Sequence, residues 1–435
     1  MPLSIANLAA CGLALLTILA PRELQADDWP QWRGPTRDGI WRETGLVDHF
    51  DSPQLPLAWR APIAAGYSGP TVCDGRVFVT DRLVEPRQAE RVHAFDAKTG
   101  KPLWTFEYEC KYAISYPAGP RAAVSIDDGR AFALGATGRL HALDAASGAV
   151  LWKKDLEQEY SIRMPIWGIA ASPLVYRDLL IVQIGGKNNA CLVAFDKQSG
   201  QERWRALDDD ASYAAPIITE QNGQPVLACL TGQHVAGLKP ESGEVLWKYP
   251  FPPTQMVIGI ATPVVDGPRL FVTTFYDGSL MLRLMPDRFE VEKLWARRGT
   301  DEKHTEALHS IISTPLAIDG YLYGVDSYGE LRCLDEQTGR RIWESDKATP
   351  RTRWSTIHMV RNGPQEWLFN ERGELIIARL TPEGYDEISR TKLLEPTKEQ
   401  LRQRGGVCWS HPAFAYRHVF ARNDRELVCA SLSAE

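Results

Sequence analysis

The chain has 435 residues, of which 44% are apolar and 24% charged, and its formal net charge is −6. A chain of this length and composition can bury a large core. It has no block of Lys or Arg, the electrostatic footprint of nucleic-acid binding, so we expect no nucleic-acid partner.

Residues 1–26 have the pattern of a signal peptide. An apolar run from Ile5 to Ala20 precedes polar residues and Ala26, a small residue suited to cleavage. The run is shorter than the roughly 20 residues that span a bilayer. The sequence therefore predicts export to the periplasm or beyond. Because no Lys or Arg precedes the run and Leu24 is bulky, an uncleaved anchor stays open, and membrane association depends on it.

Residues 27–56 form a lead-in that is punctuated by prolines. It begins with the string Trp29-Pro-Gln-Trp-Arg-Gly-Pro-x-Arg-Asp-Gly39. We predict an extended segment here rather than a domain.

A short string recurs through residues 57–435. It joins a small residue, an acid, a hydroxyl residue, a glycine and a tryptophan at fixed offsets, as in Ala94-x-Asp96-x-x-Thr99-Gly100-x-x-x-Trp104. Further copies, complete or weakened, contain Asp144, Gly148 and Trp152, then Asp196, Gly200 and Trp204, then Gly243 and Trp247, then Trp295, and then Asp335, Gly339 and Trp343. Repetition of this kind indicates an array of equivalent units.

The string is typical of a hairpin between the third and fourth strands of a unit. Asp caps backbone amides, and Gly supplies the positive φ of the turn. Trp then lies on the outermost strand, where a large flat side chain can pack against the next unit. Three copies depart from the pattern, because Lys239 replaces the acid in one, Val291 the glycine in another and Cys333 the alanine in a third.

The tryptophans recur at intervals of about 40–50 residues, the period of a four-stranded propeller blade. The last unit lacks its fourth strand, and a lone strand at Trp59 lacks the other three. Pairing them closes an all-β, eight-bladed propeller of antiparallel blades and removes the open ends. The eighth outer strand is expected near Ile388, and one short helix between Glu395 and Arg404.

Metal and disulfide signals in the sequence are weak. The seven cysteines after residue 26 are not adjacent and show no Cys-x-x-Cys spacing, so we expect small buried side chains. His304 and His309 lie five residues apart without a defined helical context, and Asp208–Asp210 resembles a solvated loop. We predict no metal site.

The acid–hydroxyl–glycine–tryptophan string resembles the tryptophan-docking motif of pyrroloquinoline quinone (PQQ) dehydrogenases. It is equally similar to the repeats of BamB, the non-catalytic outer-membrane assembly factor, and the lead-in resembles that of secreted PQQ-binding-like β-propeller repeat proteins. The resemblance implies that each tryptophan stacks on the next blade. The quinoprotein enzymes also carry an adjacent cysteine pair and a calcium site of Glu, Asn and Asp beside a catalytic Asp; this chain has no adjacent cysteines, and that acid set has no match here.

The long connections from each fourth strand to the next first strand are the expected ligand-binding loops. They carry aromatic, arginine and histidine side chains that suit an anionic, sugar-like or peptide ligand; the same residues could instead plug the channel and cap the blades. The candidate residues are Tyr67, Tyr116, Arg163, Trp167, Tyr213, His309, Arg353, Trp354, Trp409 and His411.

Three functions remain open at this point. The leading hypothesis is an exported scaffold that binds a protein partner or small ligand at the channel mouth without catalytic residues or a cofactor. The alternative is a degenerate quinoprotein oxidoreductase with PQQ and calcium. A third, an enzyme acting on polysaccharide, requires paired carboxylates at the channel mouth.

Overall fold

The computed structural model describes residues 27–434, which form eight four-stranded antiparallel sheets arranged as the blades of a ring. This confirms the predicted eight-bladed propeller. The predicted signal peptide, residues 1–26, lies outside the described residues. We number the blades in chain order from the first complete one.

The strands of blades 1 to 4 follow one another from the axis outwards. They are β2 (Thr71–Cys73), β3 (Arg76–Leu83), β4 (Ala89–Asp96) and β5 (Pro102–Glu109); β6 (Ser125–Asp127), β7 (Arg130–Leu134), β8 (Arg139–Asp144) and β9 (Val150–Asp155); β10 (Leu174–Tyr176), β11 (Leu179–Gly186), β12 (Ala190–Asp196) and β13 (Glu202–Ala206); and β14 (Ile217–Gln221), β15 (Gln224–Leu230), β16 (His234–Leu238) and β17 (Val245–Pro250). One short helix, α1 (Leu156–Tyr160), follows β9 and is not predicted from the sequence.

Blades 5 to 7 repeat this order, and blade 8 combines both ends of the chain. Their strands are β18 (Val264–Asp266), β19 (Arg269–Thr274), β20 (Gly278–Leu284) and β21 (Val291–Arg297); β22 (Leu316–Ile318), β23 (Tyr321–Val325), β24 (Leu331–Asp335) and β25 (Arg341–Ser345); β26 (Ile357–Asn362), β27 (Gln365–Asn370), β28 (Glu374–Thr381) and β29 (Gly384–Lys392); and β30 (Ala413–Ala415), β31 (His418–Arg422), β32 (Glu426–Ser431) and β1 (Trp59–Pro62). The stretch predicted as a short helix forms one 3-10 turn, Arg402–Arg404.

The ring closes as predicted. β1 pairs with β32 in antiparallel register, with Trp59 opposite Cys429. The N-terminal strand thereby becomes the outer strand of the C-terminal blade, so separating the blades at this seam requires breaking a sheet.

Each repeat tryptophan connects two blades. The indole N–H groups of Trp59, Trp104, Trp152, Trp204, Trp295 and Trp343 donate to the backbone carbonyls of Ala97, Ala145, Lys197, Pro240, Glu336 and Thr381 of the next blade at 2.8–3.1 Å. The indole also packs on the glycine of the neighbouring repeat. A Cβ added to Gly200, where φ is +71°, would lie 2.8 Å from the Trp152 indole. Glycine is therefore required both for the turn and for the contact.

Trp247 shows how the ring accommodates a missing glycine. The next blade has Val291 at that position, and the Trp247 indole donates instead to Gln221 Oε1 of its own blade at 2.8 Å. Gln221 Nε2 then donates to three backbone carbonyls of blade 5, of which Glu290 is nearest at 2.7 Å. A buried amide thus replaces the direct hydrogen bond from the tryptophan to the next blade.

The lead-in crosses the end of the channel on the side of the first-to-second strand turns. Trp29 forms a bridge with Val72 of blade 1, and the Pro30 carbonyl accepts from Ile126 N of blade 2 at 2.8 Å. Further along, Trp41 N donates to the Arg361 carbonyl of blade 7 at 2.8 Å. The segment then runs outwards to β1. The sequence predicts an extended segment but gives no sign of this position inside the ring.

Candidate functional site

A chamber of about 150 Å³ lies on the ring axis, at the face of the fourth-to-first strand connections. All eight connections contribute to its wall, so it forms only when the ring is closed. The lining residues are Trp32, Tyr67, Tyr116, Arg121, Trp167, Ala170, Ser172, Tyr213, Ala215, Ile260, Ile311, Ile312, Trp354, His358, Trp409 and His411.

Aromatic rings form most of one side of the chamber. Tyr116 lies at the centre of this group, with ring centroids at 6.1 Å from Trp167, 6.0 Å from Trp354 and 6.4 Å from Trp409. Trp167 in turn lies 5.2 Å from Tyr213. Edge and tilted contacts of this kind hold the rings in fixed orientations and leave flat faces for a guest.

Two of these aromatic residues have an unfavourable backbone conformation. The φ of Tyr116 is 54° and that of Trp354 is 68°, a region that costs an L-residue roughly 1–2 kcal/mol. Neighbouring blades hold both loops in place: Ser115 N donates to the Ile166 carbonyl and Trp354 N to the Ser327 carbonyl, each at 2.9 Å. Such strain is concentrated at functional sites.

Arg121 gives the wall a positive charge. Its guanidinium lies 4.9 Å from the centre of the Tyr67 ring and donates to the backbone carbonyls of Ser115, Tyr116 and Gly119. No Asp or Glu of residues 27–434 lies in ion-pair contact with it. Burial lowers the pKa of Arg121, because the charged form has lost water. An anionic group on a guest would compensate that loss.

The floor of the chamber combines one tryptophan of the lead-in with two histidines. The Trp32 and His411 ring centroids are 4.6 Å apart, and His358 Nε2 donates to the Trp409 carbonyl at 2.8 Å. Burial lowers the pKa of His358 to about 4 and that of His411 to about 3. Both imidazoles are therefore neutral at pH 7.

Three polar atoms of the lining are buried without a hydrogen-bond partner within the described part of the chain: Trp354 Nε1, Trp409 Nε1 and His411 Nε2. The two indoles are donors, and the His411 nitrogen is an acceptor because its Nδ1 donates to the Pro412 carbonyl at 3.3 Å. Buried polar atoms left unpaired cost free energy. All three atoms are fully covered, so the wall carries this cost without exposing them to the chamber.

The connection before blade 8 covers one side of the chamber. The Gln400 carbonyl accepts from Tyr67 OH at 3.1 Å, and its side-chain amide donates to the Gly66 carbonyl at 2.7 Å. On the other side, Arg404 pairs with buried Glu371 and donates to the Arg353 carbonyl. The segment therefore joins blades 1, 7 and 8 around the mouth.

Seven of the ten candidate residues lie together in the chamber wall: Tyr67, Tyr116, Trp167, Tyr213, Trp354, Trp409 and His411. Three do not belong to the lining. Arg163 is exposed, and His309 is buried against the Phe275 carbonyl at 3.0 Å. Arg353 stacks on Trp354 and pairs with Glu302 at 2.7 Å.

Trp32, Arg121 and His358 are lining residues that sequence reasoning did not identify. Trp32 stands in the lead-in, which the sequence places outside the repeats. Arg121 and His358 lie at or near the start of an inner strand, a few residues beyond the loop residues that we considered. The remaining additions are small or apolar residues without a distinguishing signal.

The lining does not fit the calcium site of a quinoprotein. Calcium takes several oxygen ligands, usually including Asp or Glu, and the lining contains neither. The acidic cluster at Asp208–Asp210 is engaged elsewhere: Asp209 Oδ2 accepts from Thr231 Oγ1 at 2.6 Å and lies 2.9 Å from His234 Nδ1. We therefore derive no chemistry through PQQ and calcium.

One group of metal-ligand types converges elsewhere among the described residues. Atoms of Asp28, Cys73 and Asp74 lie within 4.8 Å of one another, on the face opposite the chamber. Burial and the two carboxylates raise the pKa of the Cys73 thiol, which opposes formation of the thiolate that a metal requires. Asp28 also accepts from Tyr416 OH, so the group serves to hold the lead-in.

Sequence comparison matches residues 88–345 to the family model described as "Outer membrane protein assembly factor BamB". No curated protein sequence matches the chain.

Solved propellers resemble the structure over most of its length. BamB from Moraxella catarrhalis has a TM-score of 0.58 at 16% identity, covering 88% of this chain and 98% of its own. The quinohemoprotein alcohol dehydrogenase from Comamonas testosteroni gives 0.63 at 13% identity, covering 94% and 81%. A europium-containing methanol dehydrogenase gives 0.62 at 13% identity, covering 92% and 90%. At these identities the likenesses show the fold.

Proposed function

Because the chain belongs to the family of the outer membrane protein assembly factor BamB, we propose that it is a non-catalytic scaffold that binds a partner in its axial chamber. The partner is a small ligand or a side chain of another protein. The observation that carries the proposal is the wall itself, which is built from all eight connections and gathers aromatic, arginine and histidine side chains from six of them.

The chemistry of the wall favours binding. Rigid rings provide area at a low cost in conformational entropy, and concave apolar sites with a few polar groups are typical of ligand pockets. Arg121 adds a positive charge, and the indoles of Trp354 and Trp409 add flat apolar surface. The charge favours an anionic group on the guest, and the neutral histidines add no charge of their own.

The proposed location is the bacterial cell envelope. The N-terminal pattern of a signal peptide and the family description both support export. In residues 27–434, no helix is long and apolar enough to cross a membrane. We propose that residues 1–26 direct export, that 27–56 form the lead-in and that 57–435 form the ring.

Calorimetric titration of the purified protein tests the proposal, with phenol as a neutral one-ring probe and benzoate as its anionic counterpart. We expect saturable binding of at least one probe and at least a tenfold loss in Trp354→Ala. Ile342→Ala, which alters an exposed residue of an outer strand, is the matched control and should bind as the wild type.

Two results would contradict the proposal. One is the absence of saturable binding, or binding that Trp354→Ala leaves unchanged. The other is a stoichiometric, calcium-dependent complex with added PQQ that oxidises an alcohol or sugar in a dye-linked assay, which would support the quinoprotein alternative.

A further inference from the structure

The lead-in between residues 28 and 41 is anchored inside the ring by a buried arginine. Arg37 is only 4% exposed and donates to the backbone carbonyls of Ser172, Pro173 and Pro216, which precede the inner strands of blades 3 and 4. Its Nε donates to Gln31 Oε1 at 2.8 Å. A buried guanidinium with four acceptors fixes the segment to two blades at once.

Tryptophans on either side of this arginine pack into the core. Trp29 is 2% exposed and contacts Phe414 with ring centroids 6.0 Å apart; Trp41 is 1% exposed and lies 5.4 Å from Trp367. Burial of such large aromatic side chains stabilises the position of the segment. The segment is therefore held at both ends and in the middle.

Trp32 projects from this anchored segment into the chamber. Its indole N–H donates to Thr262 Oγ1 of blade 5 at 2.7 Å, and the ring meets His411 edge to face. No other lining residue comes from outside the blades and their connections. The lead-in therefore contributes one side chain to the wall of the chamber.

We propose that residues 28–41 are a built-in plug and that Trp32 is a specificity-determining residue, which limits a guest to the depth of one aromatic ring. The volume supports this limit, because about 150 Å³ is the size of an engineered apolar cavity that binds benzene. The inference rests on the proposed function, since it concerns which guests the chamber accepts.

A comparison of the affinities for a one-ring ligand and for a ligand of two fused rings tests the size limit. Phenol and 2-naphthol share a hydroxyl group and differ in length. We expect the wild type to bind 2-naphthol at least tenfold more weakly than phenol. In Trp32→Ala, 2-naphthol should bind at least tenfold more tightly than in the wild type, since the guest can occupy the space of the indole.

Two further variants keep the test independent of folding defects. Trp32→Phe retains a ring and should keep the wild-type preference. Trp32→Leu removes less volume than alanine and should shift the ratio in the same direction by a smaller factor. Circular dichroism and the unfolding midpoint verify that each variant retains the folded propeller.

The outcomes separate the two proposals. Saturable phenol binding with an unchanged phenol-to-naphthol ratio in both Trp32→Ala and Trp32→Leu overturns the role of Trp32 alone. Equal binding of the two probes by the wild type also overturns it. If the wild type binds neither phenol, benzoate nor 2-naphthol, the proposed function fails and the size limit fails with it.

Discussion

The outer rim and the axis of the ring are built from the same eight blades in contrasting ways. At the rim one contact recurs. An indole N–H donates to the backbone of the next blade, and the same indole packs on a glycine of that blade. At the axis each connection contributes different side chains, such as Tyr67 in one blade and Ile260 in another. The rim repeats a single solution to blade packing, whereas the axis forms one asymmetric cavity.

This difference separates stability from binding. A rim contact joins two blades and has no counterpart in the chamber, so its loss should weaken the ring without altering the guest site. A residue of the chamber should behave in the opposite way.

Removal of a rim tryptophan should have the largest effect on stability. Trp204 is 7% exposed and donates to the Pro240 carbonyl at 3.0 Å. Trp204→Ala leaves a cavity between blades 3 and 4, and we expect the free energy of unfolding to fall by about 3–5 kcal/mol. Urea unfolding followed by circular dichroism measures the loss, and phenol affinity should stay within twofold of the wild type.

The matched variant is Trp354→Ala, which removes the same side-chain type at the axis. Trp354 is half-buried and its backbone is strained. Its loss should reduce stability less than that of Trp204 while it weakens binding. If both variants had equal effects on stability and on binding, the contrast between rim and axis would be wrong.

The chamber floor should make stability depend on pH. His411 has a folded-state pKa of about 3 against an ordinary value of 6.5, because it is buried beside His358. Between these values the unfolded state binds a proton that the folded state excludes, so stability is present above pH 6.5 and falls as the pH decreases. At pH 4.5, two units below the ordinary pKa, the free energy of unfolding should be lower by about 3 kcal/mol.

The variant His411→Gln removes this titration. Its urea midpoint should decrease less between pH 7.5 and 4.5 than that of the wild type, while Trp204→Ala should keep the wild-type slope because its contacts do not titrate. His358, whose pKa burial also lowers to about 4, contributes to the remaining slope, whereas neighbouring Arg33 stays charged throughout this range. Parallel pH profiles for the wild type and His411→Gln would contradict the prediction.

The rim could be predicted from the sequence because its physics is local. A turn needs a glycine, a cap needs Asp, and the tryptophan follows at a fixed offset, so Asp196, Gly200 and Trp204 identify a strand pair and its neighbour at once. Blade 8, which combines both ends of the chain, was predicted by the same reasoning. Gln221 was missed, since its role depends on the absent glycine at Val291 in another blade.

The axis could be predicted only in part. Residues just before an inner strand were identified as a group, and seven of them meet in the chamber. Trp32 was missed because its position depends on Arg37 reaching carbonyls 135 or more residues away, and no local pattern encodes such a contact. Likewise, the loop position of Arg353 does not show that its guanidinium pairs with the Glu302 carboxylate.

A glycine of the rim should tolerate alanine less well than a glycine in an open turn. Gly200 and Gly129 have φ values of +71° and +70°, but only Gly200 contacts a neighbouring blade, through the Trp152 indole. Both substitutions cost roughly 1–2 kcal/mol for the backbone. Gly200→Ala should cost about 1–3 kcal/mol more through overpacking, measured by urea unfolding. Equal losses in the free energy of unfolding would show that the Trp152 indole can shift away from the added methyl group without cost.

The smallest predicted effect distinguishes two arginines that lie on connections around the same mouth. Arg121 lines the chamber and lies in ion-pair contact with no carboxylate of residues 27–434, whereas Arg163 is exposed. We expect Arg121→Gln to weaken benzoate binding by about tenfold, or about 1.4 kcal/mol, with little change for phenol. Arg163→Ala is the control and should change neither affinity, because an exposed side chain has little effect. Equal losses in both variants would assign the preference for anions to the general field of the surface and remove Arg121 from the binding site.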